Sequence, residues 1–162
     1  MNYQEADAAY SYNSELGELR WKQRRAQRVQ VGDIAGGYYT NGYRCVAYEN
    51  KNYLVHRVIW LLVHGEWPPN QIDHINGVRD DNRLCNLRTA TSIENARNSK
   101  KRKTNTSGAT GVMWNKQKQK WHAVIGSDGN RKHLGFFKEW WDAVCSRKAE
   151  EHRRGYHPNS GR

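Results

Sequence analysis

Hydrophobic and polar positions settle into clear periods only after the first forty residues. Residues 1–14 are polar with little periodicity, which predicts a loosely ordered terminus. From Gly17 the run Glu-Leu-Arg-Trp-Lys alternates weakly, as a short strand would, and Val31 to Gly42, with four glycines, reads as loop. Tyr43 to Tyr48 and Tyr53 to Val55 flank the polar turn Glu49 to Asn52 and predict a β-hairpin. His56 to His64 is mostly apolar and predicts a short buried helix, stopped by Gly65 and then Pro68-Pro69. Ile72 and Leu87 mark two short antiparallel strands around a polar loop from Ile75 to Cys85. Thr91 and Glu94 form a capping box that opens a helix with Asn95 in its first turns.

A second pattern begins at Ser107. Val112 to Asn115 predicts a strand, Lys116 to Gln119 a turn, and Lys120 to Ile125 a strand with Trp121, Ala123 and Ile125 on one face. Ser127 to Asn130 is a hairpin turn and Arg131 to Phe136 a third strand. A helix follows from about Glu139 to Arg154. Its apolar stripe starts at Trp140, Ala143 and Val144 and then weakens, so it should cover one sheet face only. The expected class is α+β with two domains: residues 1–98, a basic linker at 99–107, and residues 108–157.

Charge sharpens that division. The 162 residues carry 27 basic and 16 acidic side chains, a net charge of +11, with a pI near 9.8. Residues 1–98 hold 12 basic and 11 acidic side chains, whereas residues 99–162 hold 15 and 5. A surplus so concentrated points to a polyanionic partner. Mean hydropathy is −1.06, so the core must be small, with seven Trp and nine Tyr supplying much of it. Cys45, Cys85 and Cys145 are far apart and form no C-x-x-C pair, which supports neither a disulfide framework nor a structural zinc site. A reduced, cytoplasmic setting fits. No charged-then-apolar leader and no long apolar run argues for secretion or a membrane.

The candidate chemistry lies between Gln71 and Asn98. Asp73 and His74 are adjacent on the first strand, Asn86 stands thirteen residues after Asp73, and Asn95 nine after that. Asp73 and Asn95 offer hard oxygen ligands of the kind Mg²⁺ takes beside water and substrate phosphate. An imidazole titrates near ~6.5 in peptides, so His74 can accept a proton from water at neutral pH. A hydrogen bond between its second ring nitrogen and a loop carbonyl or amide, held in place by Asn86, would fix its tautomer. Arg83 and Arg88 are either phosphate clamps or partners of Asp80 and Asp81. His56 and Arg57 either touch a phosphate or serve the start of their helix.

These residues resemble the HNH endonucleases, the ββα-metal family, in the His-Asn-Asn form found in phage homing enzymes. The resemblance implies His74 as general base, Asn86 as the residue bracing the loop, and Asp73 and Asn95 on one divalent ion, Mg²⁺ or Mn²⁺. After the linker, Thr-Gly-Val, Trp-x-Ala-x-Ile and His-Leu-Gly-x-Phe resemble AP2 DNA-binding domains over Ser107 to Gly155. That resemblance implies a sheet whose open face enters the major groove, with Arg131 and His133 at contact positions. Thr110, Met113, Asn115 and Gly126 replace other contact arginines of the plant members, so their sequence preference should not carry over. Lys100, Lys101, Arg102, Lys103, Lys120 and Lys132 complete the expected contacts to double-stranded DNA. The expectation is a monomer, with a dimer as alternative, that nicks duplex DNA to leave a 5′-phosphate and a 3′-hydroxyl. The alternative function is a non-catalytic DNA-binding regulator on a vestigial HNH fold.

Overall fold

The computed structural model describes residues 1–39, 41–97, 101, 103–127, 130–158 and 160–161. The chain forms two compact units, Met1–Ala90 and Thr91–Arg162.

The first unit opens with helix α1 (Tyr3–Ala9) and strand β1 (Tyr10–Asn13), where the sequence reads as loosely ordered. Asn2 and Glu5 close a capping box on α1, and Ala6, Ala9 and Tyr10 are buried. Two of those three anchors are alanines, which explains the weak hydrophobic signal. β1 pairs antiparallel with β2 (Glu18–Trp21), and Gly17 turns the chain between them at φ +69°. A short β3 (Gly37–Tyr38) joins the hairpin of β4 (Arg44–Tyr48) and β5 (Lys51–Leu54) in the order β3-β4-β5. The hairpin turn is tighter than expected: Tyr48 pairs with Lys51, so only Glu49 and Asn50 lie in it, at φ 46° and 60°.

Helix α2 (Val55–His64) follows directly and ends on Gly65, whose N–H donates to the Leu61 carbonyl. Val55, Val58, Ile59 and Leu61 stand at helical spacing and form the centre of the core with Leu19, Val46, Ile72 and Leu87. Burying such a side chain contributes roughly 1.5–3 kcal/mol, so a few residues carry this small unit. Strands β6 (Gln71–His74) and β7 (Leu87–Ala90) pair antiparallel, placing Asp73 opposite Arg88 and His74 opposite Leu87.

The second unit begins with α3 (Ser92–Arg97). Glu94 accepts from the Thr91 N–H and hydroxyl at 2.8 Å each, and the Glu94 N–H donates back to Thr91 at 3.2 Å. The Arg97 guanidinium lies 5.1 Å over the Tyr156 ring, which ties α3 to the carboxy-terminal residues. The units thus divide between Ala90 and Thr91, with α3 in the second. Strands β8 (Val112–Asn115), β9 (Lys120–Ser127) and β10 (Asn130–Phe137) form an antiparallel sheet in the order β10-β9-β8. Helix α4 (Trp140–Arg153) packs on one face, burying Ala143 with Val112, Ala123 and Ile125.

The weakening apolar stripe of α4 has a physical explanation. Its buried line continues through Arg147 and Glu151, whose side chains are 6% and 7% exposed and paired at 2.8 Å. Arg147 also donates to the Val124 carbonyl at 2.7 Å, and Lys148 pairs with Glu151 at 2.8 Å. The helix therefore stays seated through buried charges that each have a partner.

Candidate active site

Three elements of the first unit converge on His74. β6 carries Asp73 and His74, which are 8% and 3% exposed. β7 presents Arg88, whose Nε and Nη2 donate to Asp73 Oδ2 at 3.2 and 2.9 Å. The loop between the strands folds back so that Asn82 Oδ1 lies 3.0 Å from His74 Nε2. With that carbonyl as acceptor, Nε2 carries the proton and Nδ1 the lone pair.

Asn86 organises the loop from its far end. Its Nδ2 donates to the Asp81 carbonyl at 2.8 Å and to Asn76 Oδ1 at 3.0 Å, and its Oδ1 accepts the Asn76 N–H at 2.9 Å. Its backbone carbonyl accepts from Ile75 at 2.9 Å. One carboxamide therefore fastens both limbs of the loop. It acts on His74 through the adjacent Asn82.

Asn82 is a residue that sequence reasoning missed. It is 1% exposed, and among the described residues its Nδ2 has no hydrogen-bond partner. Its backbone is held by the amino-terminal hairpin. The Tyr12 hydroxyl donates to the Asn82 carbonyl at 3.2 Å and accepts from the Leu84 N–H at 2.9 Å, and burial pushes the Tyr12 phenol up. A Cβ placed on Gly17 would lie 2.6 Å from Arg83 N and 2.8 Å from Asn82 C. Only glycine permits that approach at φ +69°. The signals in the sequence were an Asn inside the polar loop and a glycine in the turn, both ordinary by themselves.

His56 belongs to the interior of this site. It is 4% exposed, its ring stands edge-on to His74 with centroids 5.1 Å apart, and its Nδ1 has no partner among the described residues. Tyr43 packs beside both imidazoles, 5.3 Å from His56 and 5.8 Å from His74. Burial, reinforced by His74 and the Arg57 charge, pushes His56 down to about 3, so it is neutral at physiological pH. Arg57 donates to the Asn70 carbonyl at 3.2 Å and lies over the Trp67 ring.

The two arginines of the motif sit against carboxylates. Arg83 grips Asp81 through Nε at 2.8 Å and Nη2 at 2.7 Å, and these bonds, with one from Asn76, hold Asp81 down at about 2. Arg88 pairs with Asp73 rather than with Asp80 or Asp81; Asp80 accepts from the Tyr38 hydroxyl at 3.1 Å.

Asn95 lies on α3, in the second unit. Lys120, Arg131 and His133 fall on the sheet face opposite α4, where His122 Nε2 and His133 Nδ1 are 2.7 Å apart and Phe136 stacks on His122. Lys132 points the other way, and its Nζ pairs with Glu150 at 3.3 Å. Residues 131 and 132 are strand neighbours, so they cannot share a face. Lys132 is therefore not on the open face with Arg131. Lys101 donates to the Gly108 carbonyl at 3.1 Å and Lys103 is exposed, whereas Lys100 and Arg102 lie outside the described residues.

Among the described residues no three His, Cys, Asp or Glu side chains converge as a metal cluster. The donor set expected here is smaller and of different chemistry. It is the Asp73 carboxylate, with both Arg88 bonds on its Oδ2, and the Asn95 carboxamide. Carboxylate and carboxamide oxygens are donors of the type Mg²⁺ takes beside water, and the two expected here belong to different units, Asp73 to the first and Asn95 to the second.

Comparison with known proteins bears on this geometry directly. Residues 53–97 match the HNH endonuclease family. The matched HNH segment runs from β5 through α3 and includes Asp73, His74, Asn82, Asn86 and Asn95. Protein 3.8 of Escherichia phage T7 is 36% identical over 80 residues, covering 49% of this chain and 66% of the phage protein. This chain thus spans just under two thirds of that relative. A solved structure of the HNH homing endonuclease I-HmuI, described as binding and cleaving DNA, is 19% identical and aligns over 98% of this chain and 93% of that one. Its TM-score of 0.43 is too low to support inference about this protein.

Proposed function

We propose that this protein is a metal-dependent endonuclease that nicks duplex DNA. The observation that carries this reading is the buried Asp73–His74 pair inside the HNH segment, with His74 Nε2 held by Asn82 in a loop fastened by Asn86.

His74 Nδ1 accepts a proton from the attacking water, and the Asn82 carbonyl holds the opposite N–H so that the ring keeps its tautomer and direction. The resulting hydroxide adds to the scissile phosphorus, the bond to the 3′-oxygen breaks, and that oxygen takes up a proton from solvent. The products are a 5′-phosphate and a 3′-hydroxyl. A divalent ion on Asp73 and Asn95, as in HNH nucleases generally, would supply Lewis-acid stabilisation of the charge on the phosphoryl and leaving oxygens. Arg88 fixes the direction of the Asp73 carboxylate.

The second unit is the DNA-docking module, of AP2-like type, with Lys120, Arg131 and His133 on its open sheet face and the 100–103 cluster following the backbone. The arrangement of three antiparallel strands with one helix behind them supports this assignment. One catalytic set per chain supports nicking by a monomer. Supercoiled plasmid incubated with the protein and Mg²⁺ or Mn²⁺ should accumulate the nicked form, and chelation should stop it. Unchanged plasmid under both conditions, with DNA still bound, would favour a non-catalytic regulator.

A further inference from the structure

Four of the arginines in the HNH-matched segment divide by partner: Arg83 and Arg88 are held by carboxylates, whereas Arg57 and Arg79 meet neutral groups. Arg57 reaches the Asn70 carbonyl, Arg83 is doubly bonded to Asp81, and Arg88 to Asp73. The partners of Arg79 among the described residues are the Asn41 carbonyl, which takes one Nη1 hydrogen, and the face of Tyr43, 5.0 Å below the guanidinium carbon. The neighbouring acid, Asp80, accepts from Tyr38.

Tyr43 is the connection to the chemistry. Its ring lies 5.8 Å from that of His74 and 5.3 Å from that of His56, so both buried imidazoles hold it in place. Arg79 thus lies over the same ring that packs beside the proposed general base. A guanidinium on an aromatic face keeps its plane and turns its N–H edge outward, the posture in which it meets phosphate with two parallel hydrogen bonds. The 41–43 turn lies in ordinary van der Waals reach of the Arg79 stem, since a Cβ on Gly42 would stand 3.9 Å from Arg79 Cδ. The side chain is exposed, so a backbone can reach it. The two steps through Tyr43 keep the guanidinium within about 11 Å of the His74 ring, close enough for the two to face neighbouring phosphates of one strand.

We propose that Arg79, stacked on Tyr43, grips a DNA phosphate one or two steps from the scissile one and so sets which phosphate reaches His74. This rests on the nuclease reading above. The role expected of Arg83 and Arg88 in the sequence falls to Arg79 because those two are held by carboxylates.

The test uses the full chain and a short duplex spanning a cleavage position first mapped with the wild type. In each substrate one phosphate flanking that position is replaced by a neutral methylphosphonate. With wild type, one flanking replacement should lower kcat/KM roughly tenfold or more, while replacements farther away have little effect. Arg79→Ala should lower kcat/KM on unmodified DNA by a similar factor and should be nearly indifferent to the sensitive replacement. Arg79→Lys, which keeps charge but loses the two-pronged geometry, should fall between. Arg79→Ala cutting at the wild-type rate, or keeping the full methylphosphonate penalty, would overturn the assignment of Arg79 alone. Wild type that cuts no DNA with any divalent ion would instead overturn the nuclease reading.

Discussion

Met1–Ala90 holds 11 basic and 10 acidic side chains, whereas Thr91–Arg162 holds 16 and 6. In the first unit two of the arginines near the site are paired with carboxylates, Arg83 with Asp81 and Arg88 with Asp73. They hold loops and carboxylates in place. In the second unit a few carboxylates serve many cations, with Glu150 paired to Lys132, Arg153 and Arg154, and the surplus stays at the surface. Pairs that exposed contribute little stability each, but the unmatched remainder attracts a polyanion over long range. On the function proposed above, the comparison assigns cleavage to the unit of nearly balanced charge and DNA docking to the basic one.

The sharpest way to break that comparison is to disturb His74 without touching the metal donors. Asn82→Ala removes the acceptor of His74 Nε2 and frees the ring to take the wrong tautomer. Cleavage should fall roughly 10–100-fold with DNA affinity within about twofold of wild type. Single-turnover cleavage alongside equilibrium binding measures both. An Asn82→Ala protein that cleaves normally but binds DNA poorly would invert the roles of loop and sheet.

A smaller and opposite effect is expected from the second unit. The double change Lys120→Ala with Arg131→Ala should weaken DNA binding roughly tenfold and reduce the salt slope by about two, because two phosphate contacts are lost. The maximal rate at saturating DNA should barely change. Salt-dependent binding isotherms provide the check, and a drop in the maximal rate with unchanged affinity would contradict it.

Much of the site was legible in the sequence because its residues are close in the chain. Asp73, His74 and Asn86 fall inside one stretch with strand and loop between them, and such spacing survives without knowledge of the rest; Asn95, on α3 of the second unit, remains an expectation from the motif. Asn82 and its supports were not legible for the opposite reason. Tyr12 and Gly17 meet the loop across about seventy residues, through a carbonyl, an N–H and a close backbone approach that leave no periodic trace. The same holds for α1, whose buried Ala6 and Ala9 contrast little with their neighbours. On α4, Arg147 and Glu151 read as solvated charges, although their i,i+4 spacing is that of a pair. Lys132 was legible in principle, since alternation along a strand separates it from Arg131.

The amino-terminal prop offers the mildest test. Gly17→Ala would force the hairpin away from Asn82 and Arg83, with a strained φ. It should cost roughly 1–3 kcal/mol of stability. Thermal unfolding would register the loss. Cleavage should fall only severalfold, since the loop keeps its Asn86 bonds. An unchanged melting temperature would mean that the hairpin does not press on the loop as described.

The most direct test of the central claim, that His74 moves the proton while other residues hold the ion, is a Mg²⁺ titration of nicked-product formation by His74→Ala beside Asp73→Ala. His74→Ala should be slower by roughly 10²–10⁴-fold at every metal concentration, with the half-saturating concentration unchanged. Asp73→Ala should also lose cleavage, through loss of metal affinity. If raising the metal concentration alone restored His74→Ala, His74 would be a ligand and the assignment of proton transfer to it would be contradicted.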